Sequence, residues 1–179
     1  FTIPTLLTLA RLFLVIPICV LIPLGGVGQI IAFVLYGVAA ATDYLDGWWA
    51  RTYHQESDFG RMLDPIVDKV MVAALFIILS AYGGPGARGG AISGIFLACP
   101  IIILSREFLV AGLREFVGPK GIVIPVTQAA KWKTTTQLVA VGVLIFPGMQ
   151  IQGLFLLVVA TGLTIYTGAQ YFRASLRYF

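Results

Sequence analysis

Charge is what this sequence has least of. Only 11% of its 179 residues are Asp, Glu, Lys or Arg, against 59% hydrophobic, and the mean hydropathy is +0.94. A water-soluble domain of this length could bury a sizeable core, but its surface would need far more polar side chains. The solvent for most of the chain is therefore lipid. Histidine is almost absent: the single one, His54, falls in a polar loop and reads as solvated. The two cysteines, Cys19 and Cys99, lie inside apolar runs without a neighbouring Cys or His, which argues against a disulfide, a metal or a nucleophile. No basic stripe interleaved with aromatics occurs, so the surplus of +4 does not point to nucleic acid. A bias of positive charge toward the cytoplasmic face explains it better. The N-terminal apolar run lacks a basic flank and a cleavage site, and is expected to be a membrane helix and not a removable signal.

What is present is a set of apolar runs. A bilayer core of about 30 Å needs roughly 20 residues of helix. Six candidates fit: Ile3–Pro23, Ile30–Trp49, Met62–Tyr82, Ala91–Leu113, Thr134–Phe146 extended at both ends, and Leu154–Phe172. The breaks between them are mostly rich in Gly and Pro. No repeat, low-complexity tract or second domain is visible, so residues 1–179 read as one all-α transmembrane domain. The Gly25–Gln29 and Pro147–Gln152 breaks carry no Lys or Arg, and Gly83–Gly90 only Arg88. The opposite faces hold Arg51, Arg61, Arg114, Lys120, Lys131, Lys133, Arg173 and Arg177. Positive-inside then predicts six spans with both termini cytoplasmic. Trp48, Trp49 and Trp132 fall where interfacial anchors belong. Arg11, inside the first span, must face a polar cavity or snorkel.

Against this background five aspartates crowd into 26 residues, Asp43 to Asp68. Carboxylates at membrane depth are expensive and mark function. Asp43 and Asp46 are spaced i, i+3 and Asp64 and Asp68 i, i+4, so each pair lines one helical face. The two helices are consecutive and antiparallel, joined by a loop of about a dozen residues. Their facing ends can bring four carboxylates together, where like charges repel unless cations intervene. Hard oxygen ligands in this number suit one or two Mg²⁺ or Mn²⁺ ions, and carboxylates with magnesium usually serve a phosphate-bearing substrate. Gly47 and Ala50 keep that face open, and Arg51, Ser57 and Arg61 offer phosphate or sugar partners nearby. Asp58 reads as a solvated loop residue. Pro65 belongs in the first helical turn, which places the start of the third helix near Gly60–Leu63.

The string Asp43-x2-Asp46-Gly47-x2-Ala50-Arg51-x8-Gly60-x3-Asp64-x3-Asp68 resembles the full signature of the CDP-alcohol phosphatidyltransferases. The resemblance implies a six-helix membrane enzyme, usually a homodimer, with two divalent metals in a polar cavity at the cytoplasmic side of the cell (inner) membrane. Asp43, Asp46, Asp64 and Asp68 would be metal ligands, and Asp68 also the general base. Gly47, Ala50, Arg51, Ser57, Gly60 and Arg61, with Thr5, would line the cytidine nucleotide of CDP-diacylglycerol.

Four further stretches, "IPTLLTLAR", "LDPIVDKVMVA", "SREFLVAGLRE" and "KWKTTTQ", resemble the branch of that family whose acceptor is sn-glycerol 3-phosphate. Thr5 departs from the Asn often found there, but keeps a hydroxyl. The residues agree in kind with a phosphorylated acceptor. Arg106 and Arg114, eight apart, fall within about 80° on a helix, and Lys131 and Lys133 follow on the same side. Guanidinium groups hold phosphate bidentately. The plainer reading is topological anchoring, with Glu107 and Glu115 neutralising the arginines. That reading suits Lys120, Arg173 and Arg177 better than Arg106; Lys69 would snorkel or pair with a signature aspartate. Rival acceptors within the family are inositol phosphate, serine or another phosphatidyl lipid. Outside it the rival is a divalent-cation transporter, which should carry polar residues through the midplane of several helices.

Overall fold

The computed structural model describes residues 3–53, 58–83, 90–117 and 128–175. Among them there are only helices: α1 (Ile3–Leu21), α2 (Gly26–Tyr53), α3 (Asp58–Ile78), α4 (Gly90–Val117), α5 (Gln128–Ile145) and α6 (Gln150–Ser175). A tight 3₁₀ turn, Ile22–Leu24, follows α1, and a wider π turn, Leu79–Gly83, closes α3. Among the described residues four stretches are long and apolar enough to cross a bilayer: Leu6–Leu24, Gly26–Asp43, Gly90–Leu113 and Gln150–Arg173.

The pattern of exposure is that of a membrane protein. Phe13, Ile77, Leu109 and Phe155 are each about two-thirds exposed, while Arg11, Lys133, Gln137, Thr161, Thr164 and Thr167 are buried. In lipid the outward face has no reason to be polar, and the polar groups gather where protein partners can satisfy them. The buried threonines do so locally. Thr161, Thr164 and Thr167 donate to the carbonyls of Leu157, Ala160 and Leu163, one turn back on α6.

Short glycine turns make the neighbours antiparallel. Gly25 and Gly26, with φ of +67° and +44°, reverse the chain between α1 and α2. Gly148, with φ +81°, does the same between α5 and α6. A Cβ on Gly153 would lie 2.7 Å from Leu144 Cγ, so only glycine lets α6 leave that turn against α5. The helix α2 meets α5 through Tyr36, whose hydroxyl donates to the Leu138 carbonyl at 2.9 Å, and the turn just after α5 through Phe33, edge-on to Phe146 at 5.2 Å. The core runs through Ile18, Ala39, Leu75, Phe96, Ile103, Leu144 and Leu157, all fully buried.

Three expectations need correction. The helix α2 continues to Tyr53, so only residues 54–57 separate it from α3, not a dozen. Hydropathy tracks contact with lipid, and a helix leaving the bilayer does not stop where its apolar run stops. For the same reason α3 is already helical at Asp58, which is not a loop residue. Pro65 therefore lies inside α3 and cannot donate to the Arg61 carbonyl, a local loosening in the signature end of the helix. Both cysteines are free, as expected, with Cys99 buried and Cys19 half-buried.

Candidate active site

Three helices build an acid centre. Thr8 and Arg11 lie one turn apart on α1, Asp43 in the second half of α2, Asp64 in the first half of α3 and Asp68 at its middle. The Thr8 hydroxyl donates to Asp64 Oδ1 at 2.5 Å. Arg11 Nη1 donates to Asp43 Oδ1 and, at 3.0 Å, to Asp68 Oδ1. The exposures are opposed: the Arg11 side chain is 1% accessible, those of Asp43 and Asp68 44% and 52%. The guanidinium thus forms the floor of the site, and the carboxylates open outward from it.

Three other helices build a basic centre. Arg106 and Glu107 come from α4, Lys133 from α5, and Thr167 and Tyr171 from α6. Arg106 Nη1 donates to Glu107 Oε1 at 3.1 Å, Nη2 to Thr167 Oγ1 at 3.2 Å, and the guanidinium lies 5.3 Å over the Tyr171 ring. Lys133, buried, donates to the same Glu107 oxygen. Gly168 makes room for the arginine: a Cβ there would come within 3.1 Å of Arg106 Cγ. Arg106 Nε and the side-chain oxygens of Gln137 and Gln170 are buried without a hydrogen-bond partner among the described residues.

Both centres occupy the same end of the bundle. Along the antiparallel α2–α5 pair, Phe33 meets Phe146 and Tyr36 meets Leu138. Asp43 lies about 10 Å beyond Tyr36 and Lys133 about 8 Å before Leu138, both in the same direction at about 1.5 Å per residue.

The structure therefore gathers Asp43, Asp64 and Asp68 in one place, and Arg106 and Lys133 in another. It does not join Lys131 to Lys133: Lys131 is exposed. Asp46, Gly47, Ala50 and Arg51 lie on α2, Arg61 on α3, Thr5 on α1 and Arg114 on α4, with side chains outside the described set. Gly60 is buried on α3, and Ser57, like His54 and Lys120, lies outside the described residues. Glu107 does neutralise Arg106, and Arg11 does face a polar site. Sequence reasoning missed Thr8, Thr167 and Tyr171. Thr8 carried one signal, the i, i+3 spacing with Arg11 that repeats the spacing of Asp43 and Asp46.

The donors are of the kind a divalent ion takes, hard carboxylate oxygens. Carboxylates from two helices converge on one positive charge, that of Arg11, and they are hard oxygen donors open to solvent on the far side. Among the described residues no three acidic, His or Cys side chains form a complete ion site.

The class of protein is now fixed by comparison. Residues 1–166 match the CDP-alcohol phosphatidyltransferase family, and the chain belongs to it. Several relatives share the name CDP-diacylglycerol–glycerol-3-phosphate 3-phosphatidyltransferase. The one from Rickettsia typhi is 36% identical over 185 residues, covering 98% of both chains. That from Haemophilus influenzae is 34% identical over 184 residues, covering 98% of this chain and 94% of its own. That from Cereibacter sphaeroides is 46% identical over 114 residues, 63% of this chain and about half, 48%, of its own length.

Proposed function

We propose that this membrane protein transfers the phosphatidyl group of CDP-diacylglycerol to sn-glycerol 3-phosphate, giving phosphatidylglycerophosphate and CMP. The observation that carries the reading is the placing of an acid centre and a basic centre at one end of one bundle. Near-full-length relatives bearing the name of that activity support it.

In this reading Asp43, Asp46, Asp64 and Asp68 hold one or two Mg²⁺ or Mn²⁺ ions, and Gly47, Arg51 and their neighbours hold the nucleotide. Ions bound there would offset charge on the pyrophosphate and on departing CMP. Asp68, the more exposed of the two carboxylates on Arg11, takes the proton of the glycerol hydroxyl. That oxygen then bonds to the phosphatidyl phosphorus as the bond to CMP breaks. Arg106 and Lys133 hold the phosphate of the acceptor, with Glu107 keeping the two cations together. All six helices span, with both termini and the site at the cytoplasmic face of the inner membrane and a second copy completing a homodimer.

The test is to incubate purified protein and CDP-diacylglycerol with glycerol 3-phosphate, inositol phosphate, serine or a phosphatidyl lipid, and to identify the lipid formed. Phosphatidylglycerophosphate alone, abolished by chelator and restored by Mn²⁺, is expected. A product from another acceptor would reassign the basic centre, and full turnover in excess chelator would remove the ions from the mechanism.

A further inference from the structure

Arg11 stands apart from the rest of the acid centre. It is a full charge buried at 1% exposure in a bundle suited to lipid, and a single nitrogen, Nη1, meets carboxylates from two different helices. Those carboxylates are about half exposed, so solvent already screens them from one side; the guanidinium neutralises them from the other. Without it, Asp43 and Asp68 would face each other as like charges. Asp64, one helical turn before Asp68 on α3, would be a third.

A divalent ion drawn to the same carboxylates would meet the Arg11 charge at contact distance. Two cations sharing carboxylate oxygens repel, and more strongly where one of them is out of water. We propose that Arg11 is the resident counter-cation of the acid centre: it holds Asp43 and Asp68 together while the site is ion-free, and it competes with the ions that bind there. Arg11 is thus a positioning residue that keeps ion affinity low and the ions exchangeable. This rests on the ion-binding reading given above. A mere brace, shaping the carboxylates in favour of the ion, has the opposite sign, because removing a brace weakens ion binding.

The experiment uses the full chain in detergent micelles, as wild type, Arg11→Gln and Arg11→Lys. Free Mn²⁺ is counted by electron paramagnetic resonance during titration, and thermal unfolding is followed in chelator and in saturating Mn²⁺. Removing a unit charge at contact distance should tighten Mn²⁺ binding to Arg11→Gln on the order of tenfold or more. Its melting temperature should fall below that of the wild type in chelator, and the gap should close in Mn²⁺. Arg11→Lys, whose ammonium cannot bridge two carboxylates in the same way, should fall between. Unchanged or weaker Mn²⁺ binding by both variants would overturn the inference, as would an equal loss of melting temperature with and without Mn²⁺. If Arg11→Gln does not fold, the sign of the change in Arg11→Lys decides. A wild type that binds no Mn²⁺ would overturn the ion-binding reading itself, whereas a wild type that binds and variants that bind no tighter overturn only the role of Arg11.

Discussion

The acid centre and the basic centre are built on one plan with the signs exchanged. In the first, one buried cation, Arg11, holds carboxylates from α2 and α3. In the second, one half-buried anion, Glu107, holds cations from α4 and α5. Each single counter-ion lets like charges approach that would otherwise separate, and each leaves a surplus of the majority sign. A surplus of carboxylate suits divalent cations; a surplus of guanidinium and ammonium suits phosphate. On the proposed function the difference between the centres is a difference of ligand, and the shared plan explains how a chain so poor in charge can assemble both.

The largest expected effect breaks the first centre at its proposed base. Asp68→Asn should lower turnover by about 10²–10⁴-fold, the usual contribution of a positioned base, while CDP-diacylglycerol still binds. Initial-rate assays with donor-binding controls check this, and near-normal turnover would exclude Asp68 as base. The second centre should break differently. Arg106→Ala should raise the KM for glycerol 3-phosphate by roughly 10- to 150-fold, the loss of a charge-assisted hydrogen bond. Arg106→Lys should recover only part, because an ammonium lacks the guanidinium fork. Full recovery with lysine would reduce Arg106 to an anchor.

Smaller changes sharpen the contrast. Thr8→Val removes the hydroxyl that reaches Asp64 and should slow turnover by about tenfold at most, with the acceptor KM unchanged. A rise in acceptor KM would place Thr8 with the wrong substrate. Lys131→Ala should change neither KM by more than about twofold, since exposed charges contribute little. A large effect there would mean that the basic centre extends to the exposed face of α5.

How far these centres could be read in the sequence depends on the residue. The apolar runs revealed six helices, and the aspartate spacing revealed one face on each of α2 and α3. Helix ends were not legible at Trp49–Tyr53 and Asp58, because polar residues outside lipid can remain helical. Thr8, Thr167 and Tyr171 were not legible because a hydroxyl in an apolar run says nothing of which neighbour it meets. Arg11 was half legible: its charge demanded a polar partner, but only the packing of α1 against α2 and α3 names Asp43 and Asp68. Lys131 and Lys133 were grouped by proximity in sequence, yet two positions on a helix differ by about 200°, so they face apart.

The acid centre, on this reading, binds the donor and the basic centre the acceptor. The most direct measurement is equilibrium binding of CDP-diacylglycerol, in Mn²⁺, to the wild type, Asp64→Asn and Arg106→Ala. Wild-type donor affinity in Arg106→Ala and a marked loss in Asp64→Asn are predicted. Loss of donor binding in Arg106→Ala, with binding retained in Asp64→Asn, would contradict the division of labour between the two centres.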